Sequence, residues 1–298
     1  MIWIQNHAYI GAAMLTRIIT GALLVLVLVP ALIFFDTAVT PAVWAVIAAV
    51  SVAEVSKCVY SDSRDGSMNK MTVVILCAIA TACPFLQFAI GWGSEQNSTS
   101  QIVPLMLSAA FAAVFVLYAL GVFDAIKVSL SPRAETMTML IYISAASVTT
   151  VAITQSAHGG VILPMVYLGS WITDSFAYFC GSFFGKHKLI PRISPKKTVE
   201  GSVGGTVLST LFFAVYGIIV SNIAKLTVDY IALLISGLCL SLLSQVGDLV
   251  ASYIKREHDV KDYGNIFPGH GGMFDRFDSV VAVTPILYLL TRVFTYFA

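Results

Sequence analysis

Long runs of apolar residues recur along this chain, and they constrain its fold more than any other feature. About 20 helical residues, each rising roughly 1.5 Å, cross the hydrocarbon core of a membrane. With 58% hydrophobic and 11% charged residues, the chain has too few polar side chains to cover a water-soluble globule. The sequence therefore predicts an all-α, polytopic integral membrane protein whose main solvent is lipid.

Nine segments have the length and apolarity of membrane spans. They lie at 15–35, 39–56, 71–90, 102–123, 137–154, 161–182, 202–221, 230–253 and 278–297. Of the 17 Lys and Arg residues, 15 fall in the amino terminus or in every second loop. Those loops are 57–70, 124–136, 183–201 and 254–277. Because basic loops stay in the cytoplasm, we expect nine spans, a cytoplasmic amino terminus and an outside carboxyl terminus.

Residues with chemical potential are concentrated in the second half of the chain. Residues 1–156 are interpreted as a scaffold with possible dimer contacts, and 157–298 as the catalytic region. Glu54 and Lys57, near the end of the second predicted span, are interpreted as an interfacial pair at a helix end. The five cysteines form no Cys-x-x-Cys pair, so they favour neither a disulfide framework nor a zinc site.

The stretch from Gly247 to Ser279 is unusually rich in charge for this chain. Its aspartates, basic residues and histidines are Asp248, Asp259, Asp262, Asp275, Asp278, Lys255, Arg256, Lys261, Arg276, His258 and His270. Asp248 lies roughly 10 Å of helix inside the eighth span, and Asp174 roughly 18 Å inside the sixth. An ionised carboxylate at such depth costs at least about 2.5 kcal/mol unless it is paired or hydrated. A structural ion pair or a protonated acid is the alternative to a functional site.

Asp275 and Asp278 are three residues apart and therefore share one face if the last helix begins here. Either could simply cap that helix, because helix N-termini stabilise negative charge. Neighbouring carboxylates repel each other, however, and a divalent cation relieves that repulsion. Oxygen ligands without a cysteine or histidine cluster favour Mg²⁺ over zinc. The predicted metal ligands are Asp248, Asp275 and Asp278, which could hold one or two ions.

Two basic or glycine-rich segments could cradle phosphate groups. Three glycines between Pro268 and Gly272 would let backbone N–H groups approach an anion, with Lys261 and Arg276 on either side. The basic segment 194–198 opens the seventh span, and ordinary positive-inside charge is its alternative explanation. Acids and phosphate cradles at a membrane boundary predict phosphoryl or nucleotidyl transfer to a lipid head group.

The same stretch resembles the signature of phosphatidate cytidylyltransferases, also called CDP-diacylglycerol synthases. The matching positions are Ser252-x-Ile254-Lys255-Arg256, then Lys261-Asp262-x-Gly264, then Pro268-x-His270-Gly271-Gly272-x-x-Asp275-Arg276-x-Asp278. Gly247-Asp248-Leu249, the 194–201 segment and Asp174 with Gly185-Lys186-His187-Lys188 are similar too. The motif-level similarity covers roughly residues 170–280. Ala251 departs from the pattern, which usually has a glutamate at this position.

The resemblance implies that CTP and phosphatidate react with Mg²⁺ to give CDP-diacylglycerol and pyrophosphate. It also implies a homodimer in a bacterial inner membrane, with the site facing the cytoplasm. Catalytic roles are implied for Lys255, Arg256, Lys261, Asp262, His270 and Arg276, and metal binding for Asp248, Asp275 and Asp278. Contacts with the nucleotide and phosphates are implied for Ser194, Lys196, Lys197, Thr198, Gly271 and Gly272.

Two other hypotheses stay open at this point. A CTP-dependent enzyme on another lipid, such as a polyprenol or phytol kinase or a CDP-archaeol synthase, would share the chemistry but need a different lipid groove. An ion-coupled transporter could use Asp174 and Asp248 as an ion pathway. Against a transporter, the charged groups gather at the cytoplasmic mouth and no inverted repeat is visible. Nucleic acid is not expected as a partner.

Overall fold

The computed structural model describes residue 26 and residues 28–61, 68–92, 98–267, 269 and 271–298. Within these residues the protein is a helical bundle with one short antiparallel hairpin. The elements are α1 (Val39–Tyr60), α2 (Lys70–Gly91), α3 (Ser98–Val122), α4 (Pro132–Thr154), α5 (Gly159–Tyr167), a π-helical turn (Leu168–Ile172), α6 (Thr173–Phe184), β1 (Lys188–Ile190), β2 (Ser194–Thr198), α7 (Val199–Ala224), α8 (Tyr230–Glu257) and α9 (Phe274–Val293). A helical run at 28–33 precedes α1.

Polar side chains set the starts of several helices by accepting hydrogen bonds from free N–H groups of the first turn. Asn69 caps α2, Ser131 caps α4, Thr198 caps α7 and Asp229 caps α8. The start of α9 differs, because Met273 at its N-cap position makes no such side-chain hydrogen bond. The backbone N–H groups in the first turn of α9 must therefore find acceptors elsewhere in the fold.

Six described helices, α1 to α4 with α7 and α8, are long and apolar enough to cross a membrane. The first predicted span, 15–35, lies largely outside the described residues. The sixth, 161–182, is helical throughout, but a π-helical turn separates α5 from α6, so neither α-helix is long enough to be among the six. The ninth corresponds to α9, which is not among the six. A membrane protein with several spans is confirmed, and the count of nine is not.

Helix α9 is the centre of the bundle. Nearly every side chain from Phe274 to Tyr288 is buried, and the helix packs against α8, α4, α3, α5 and α1. Because protein surrounds its first turns, α9 can carry Asp275 and Asp278 without exposing these charges to lipid.

The basic loops that were predicted to share one side meet at one end of the bundle. An Nη atom of Arg192 in the hairpin lies 2.6 Å from Oδ1 of Asp124, at the end of α3. Nε2 of His258, after α8, lies 3.0 Å from Oε2 of Glu135 in the first turn of α4. The carboxyl terminus pairs with residues 227–229 at the start of α8, which is the opposite end. Alternate loops therefore share an end, as the charge pattern predicts.

Candidate active site

The site is built on a close contact between α6 and α7. A Cβ atom at Gly205 would lie 2.8 Å from Cβ of Ala177, and one at Gly201 would lie 2.6 Å from the Ala177 carbonyl oxygen. Such distances are too short for any side chain, so glycine at these positions lets the two helices touch. The hairpin between them is consequently held close to the helix ends.

Glu200, in the first turn of α7, bonds to the two residues that precede the hairpin. Its Oε2 atom accepts the backbone N–H of Lys186 at 3.0 Å, and Nδ1 of His187 lies 2.6 Å from its Oε1 atom. The second strand is thereby brought over α8. There the ammonium nitrogen of Lys197 lies 2.7 Å from Oδ2 of Asp248.

A cavity of about 550 Å³ opens between α6, α7, α8, the hairpin and the first turns of α9. This volume lies within the range of pockets that bind small molecules. Its charged lining residues are Asp174, Asp248, Asp275, Asp278, Lys188, Lys196, Lys197 and Arg276. Four carboxylates from three helices thus share one chamber with four basic groups. Such a wall suits a ligand that carries phosphate groups together with a cation.

Asp174 lies on the cavity wall, just after the π-helical turn of the sixth predicted span. The π-helical turn ends at Ile172, and Asp174 is the second residue of the helix that follows. Single π-helical turns inside α-helices are frequent at functional sites. Asp174 is tied to α9, because Oγ of Ser279 donates to its Oδ2 atom at 3.2 Å. The neighbouring Asp278 accepts the backbone N–H of Ser279 at 2.7 Å.

Asp275 is the most fully engaged carboxylate of the site. Its side chain is 2% exposed, and its Oδ1 atom lies 2.7 Å from the ammonium nitrogen of Lys255. Its Oδ2 atom accepts the backbone N–H groups of Tyr263 and Gly272, both at 2.8 Å. A Cβ atom on Gly271, whose φ is +84°, would lie 2.8 Å from the same oxygen. Asp275 therefore ties α8, α9 and the 258–273 loop together while it borders the cavity.

Tyr263 fastens the 258–273 loop to α8. Its hydroxyl donates to the carbonyl oxygen of Ala251 at 2.9 Å. Burial raises the pKa of Tyr263 well above its usual range, so the hydroxyl keeps the proton that it donates. Ala251 is itself 2% exposed. The position that departs from the family pattern therefore packs beneath this loop, and its backbone makes the contact.

Arg276 offers the clearest indication of an anionic ligand. Its Nε atom is buried, and among the described residues nothing accepts a hydrogen bond from it. The same side chain lines the cavity. Buried donors are nearly always satisfied, and a guanidinium matches the geometry of a phosphate group. The Arg276 side chain therefore places a guanidinium, a group that binds phosphate, on the cavity wall.

The structure brings part of the predicted site together on the cavity wall. The predicted residues on this wall are Asp248, Asp275, Asp278, Arg276, Lys196, Lys197 and Thr198. Lys255, Gly271 and Gly272 instead surround Asp275.

Of the other five predicted residues, four do not line the cavity and one lies outside the described residues. Arg256 donates to the carbonyl oxygen of Val260 at 3.0 Å. Lys261 and Asp262 are exposed, and Ser194 begins β2 without lining the cavity. Their contact with substrate stays a prediction. His270 lies outside the described residues.

The donor set of the cavity fits magnesium. Within the described part of the chain, no three carboxylate, histidine or cysteine side chains lie so that they could hold a metal ion by themselves. Mg²⁺ at phosphate sites usually takes one or two carboxylates and completes its shell with phosphate oxygens and water. Asp248 and Asp278, with Asp174 beside them, supply such oxygens on one wall. The metal assignment stays a prediction that this chemistry supports.

The role of Glu54 was not predicted from the sequence. Its interpretation as an interfacial pair with Lys57 is wrong, because Glu54 is 4% exposed and bonds to the start of α9. The partners lie 219 and 220 residues away, so no local pattern could indicate them. The one signal in the sequence was the missing capping residue before Phe274.

Membrane-length helices around a cavity with carboxylates, lysines and a buried guanidinium define a membrane protein with a site for phosphate-bearing ligands. More specifically, the chain belongs to the cytidylyltransferase family, whose family model matches residues 15–294.

Relatives of this chain include phosphatidate cytidylyltransferases from several bacteria. A phosphatidate cytidylyltransferase of Bacillus subtilis (strain 168) is 51% identical over 125 residues, which are 42% of this chain and 45% of that protein. One from Staphylococcus saprophyticus subsp. saprophyticus is 40% identical over 225 residues, 75% of this chain and 82% of the relative. One from Aquifex aeolicus (strain VF5) is 43% identical over 125 residues, 41% and 44% of the two chains. The first and third alignments thus cover less than half of the relative.

Proposed function

We propose that this protein is a phosphatidate cytidylyltransferase, which uses CTP to convert phosphatidate into CDP-diacylglycerol and pyrophosphate. Membership of the family and the names of its relatives support this. The observation that carries most weight is the shared cavity of Asp248, Asp278, Lys197 and Arg276. Carboxylates and basic groups at one end of membrane-length helices suit the joining of a nucleotide to a lipid phosphate.

In this reaction a phosphate oxygen of phosphatidate attacks the α-phosphorus of CTP. A new oxygen–phosphorus bond forms, the bond from the α-phosphorus to the bridging oxygen breaks, and pyrophosphate leaves with that electron pair. The attacking oxygen is already ionised at neutral pH, so little help from a general base is needed. The main obstacle is repulsion between two anions, which fixed positive charge reduces.

The side chains of the cavity divide this work. Arg276 and Lys196, which line the cavity, hold and screen phosphate oxygens. Lys197, which pairs with Asp248 in this structure, can exchange that partner for a phosphate of the nucleotide. Asp248 and Asp278, with Asp174 beside them, are the residues that would hold Mg²⁺, which would neutralise phosphate charge. Metal binding by Asp275, whose oxygens bond to Lys255 and to two backbone N–H groups, stays a prediction.

We place the cavity at the cytoplasmic face of a bacterial inner membrane, because the basic loops meet at its end of the bundle. The homodimer implied by the family resemblance stays a prediction. The mass of the protein purified in detergent checks it.

The test uses purified protein with phosphatidate, Mg²⁺ and CTP that is labelled in either the α- or the γ-phosphate. We expect the α label in CDP-diacylglycerol and the γ label in pyrophosphate. A γ label on the lipid would indicate a CTP-dependent kinase instead. Preference for an ether-linked isoprenoid phosphate would indicate the archaeol-type reaction. No lipid product with Mg²⁺ present would discard an enzymatic role on these substrates and favour a transporter.

Lys197→Ala should raise the KM for CTP by about 10-fold or more, because a charge-assisted hydrogen bond contributes about 1.5–3 kcal/mol. The side chain is 24% exposed, and its partner Asp248 is 29% exposed and faces the cavity, so folding should change little. Initial rates over a CTP series check this. Lys127→Ala, which removes an exposed lysine from another loop, is the matched control. An unchanged KM would indicate that Lys197 does not bind CTP and only adds to the basic charge of its loop.

A further inference from the structure

Glu54 on α1 supplies the cap that α9 lacks. Its Oε1 atom accepts the backbone N–H of Met273 at 3.0 Å, and its Oε2 atom accepts that of Phe274 at 2.9 Å. The first N–H groups of a helix have no partners within the helix, and a carboxylate there also meets the positive end of the helix dipole. Glu54, which is distant from α9 in the sequence, therefore determines where this helix begins.

Two glycines leave room for this carboxylate. A Cβ atom at Gly272 would lie 2.5 Å from both carboxylate oxygens of Glu54, and one at Gly264 would collide with Oε1. Both glycines belong to the 258–273 loop, and Gly272 is the last residue of its glycine-rich run. The loop therefore closes around the Glu54 carboxylate, and any side chain at Gly264 or Gly272 would displace it.

The backbone groups that Glu54 caps lie next to residues that line the cavity. Asp275 accepts the N–H of Gly272, and Glu54 accepts the next two N–H groups along the chain. Three consecutive backbone donors are thus held by two buried carboxylates. Arg276 and Asp278 follow within the same first turns and face the cavity. Glu54 is not on the cavity wall, so it acts on the site through the position of α9 and of the 258–273 loop.

We propose that Glu54 is a positioning residue for nucleotidyl transfer, which fixes the start of α9 so that Arg276 and Asp278 point at the reactants. The inference rests on the proposed function. Displacement of these groups by about 1 Å can lower a rate by roughly 100-fold without loss of the fold.

Glu54→Gln and Gly264→Ala test the proposal by different routes. Glutamine keeps the size but turns an N–H₂ group toward one of the two backbone donors, whereas a methyl group at Gly264 pushes the intact carboxylate aside. For both variants we expect kcat to fall by roughly 100-fold, while the KM for CTP stays within about threefold. Hydrogen exchange should also become faster at the amides of Met273 and Phe274, since these lose their acceptors.

Lys57→Gln is the matched control, since Lys57 is exposed on the same helix and belongs to neither the cap nor the cavity. It should keep the wild-type kcat. A purely structural role would lower the yield of folded Glu54→Gln protein and leave its kcat unchanged, and that result overturns the proposal. If Glu54→Gln cannot be purified, Gly264→Ala decides. A wild type that forms no CDP-diacylglycerol rejects the proposed function itself, whereas active variants beside an active wild type reject the assignment of Glu54 alone.

Discussion

Asp248→Asn should leave a folded membrane protein with almost no nucleotidyl transfer. The amide keeps the size of the side chain but removes the charge that holds Lys197 and that could bind a cation. Loss of one preorganised charged group from such a site costs roughly 10³-fold in kcat. Folding should be preserved, because the side chain is 29% exposed and faces the cavity. Formation of CDP-diacylglycerol and the midpoint of thermal unfolding in detergent are the two measurements.

Glu257→Gln is the control for Asp248→Asn, because it removes an exposed carboxylate from the last turn of the same helix. Its rate and its unfolding midpoint should match the wild type. Near-normal turnover in Asp248→Asn would contradict the assignment of this aspartate to the reaction.

Asp275→Asn should abolish turnover and, unlike Asp248→Asn, also destabilise the fold. The substitution leaves Lys255, whose side chain is 10% exposed, without its counter-charge. Removing one partner of a buried ion pair typically lowers the free energy of unfolding by about 3–5 kcal/mol. If the amide nitrogen takes the place of Oδ2, the backbone N–H groups of Tyr263 and Gly272 both lose their acceptor. Unfolding curves in detergent and the rate of CDP-diacylglycerol formation check both effects.

The double variant Lys255→Met with Asp275→Asn separates folding from chemistry. Replacing both partners of a buried pair by neutral groups is often close to neutral for stability. We therefore expect the unfolding midpoint to recover while turnover stays absent. Turnover that returns together with stability would show that Asp275 acts by holding the fold. A stable and active single variant would contradict both roles.

The class of fold could be predicted because span length and loop charge are local properties of the sequence. The predicted spans 202–221 and 230–253 fall within α7 and α8. The π-helical turn within the sixth span was not predictable, because it depends on backbone hydrogen bonds that hydropathy does not encode. Hydropathy also cannot tell a lipid-facing helix from one enclosed by protein, as α9 is.

The site was predictable where it consists of charges placed against an apolar background. Asp248, Asp278 and Lys197 stood out for that reason, and all three line the cavity. The pairing of Lys255 with Asp275 and the cap by Glu54 depend on contacts between distant segments. One sequence carries no periodicity that reports such contacts.

The cap on α9 has a consequence for biosynthesis. Glu54 leaves the ribosome 219 residues before the first backbone group that it accepts. Until the final described helix enters the membrane, this carboxylate must be hydrated or held by another partner. The catalytic chamber is therefore completed late in translation, and a nascent chain arrested after α8 would carry membrane-length helices and Asp248 but no working active site.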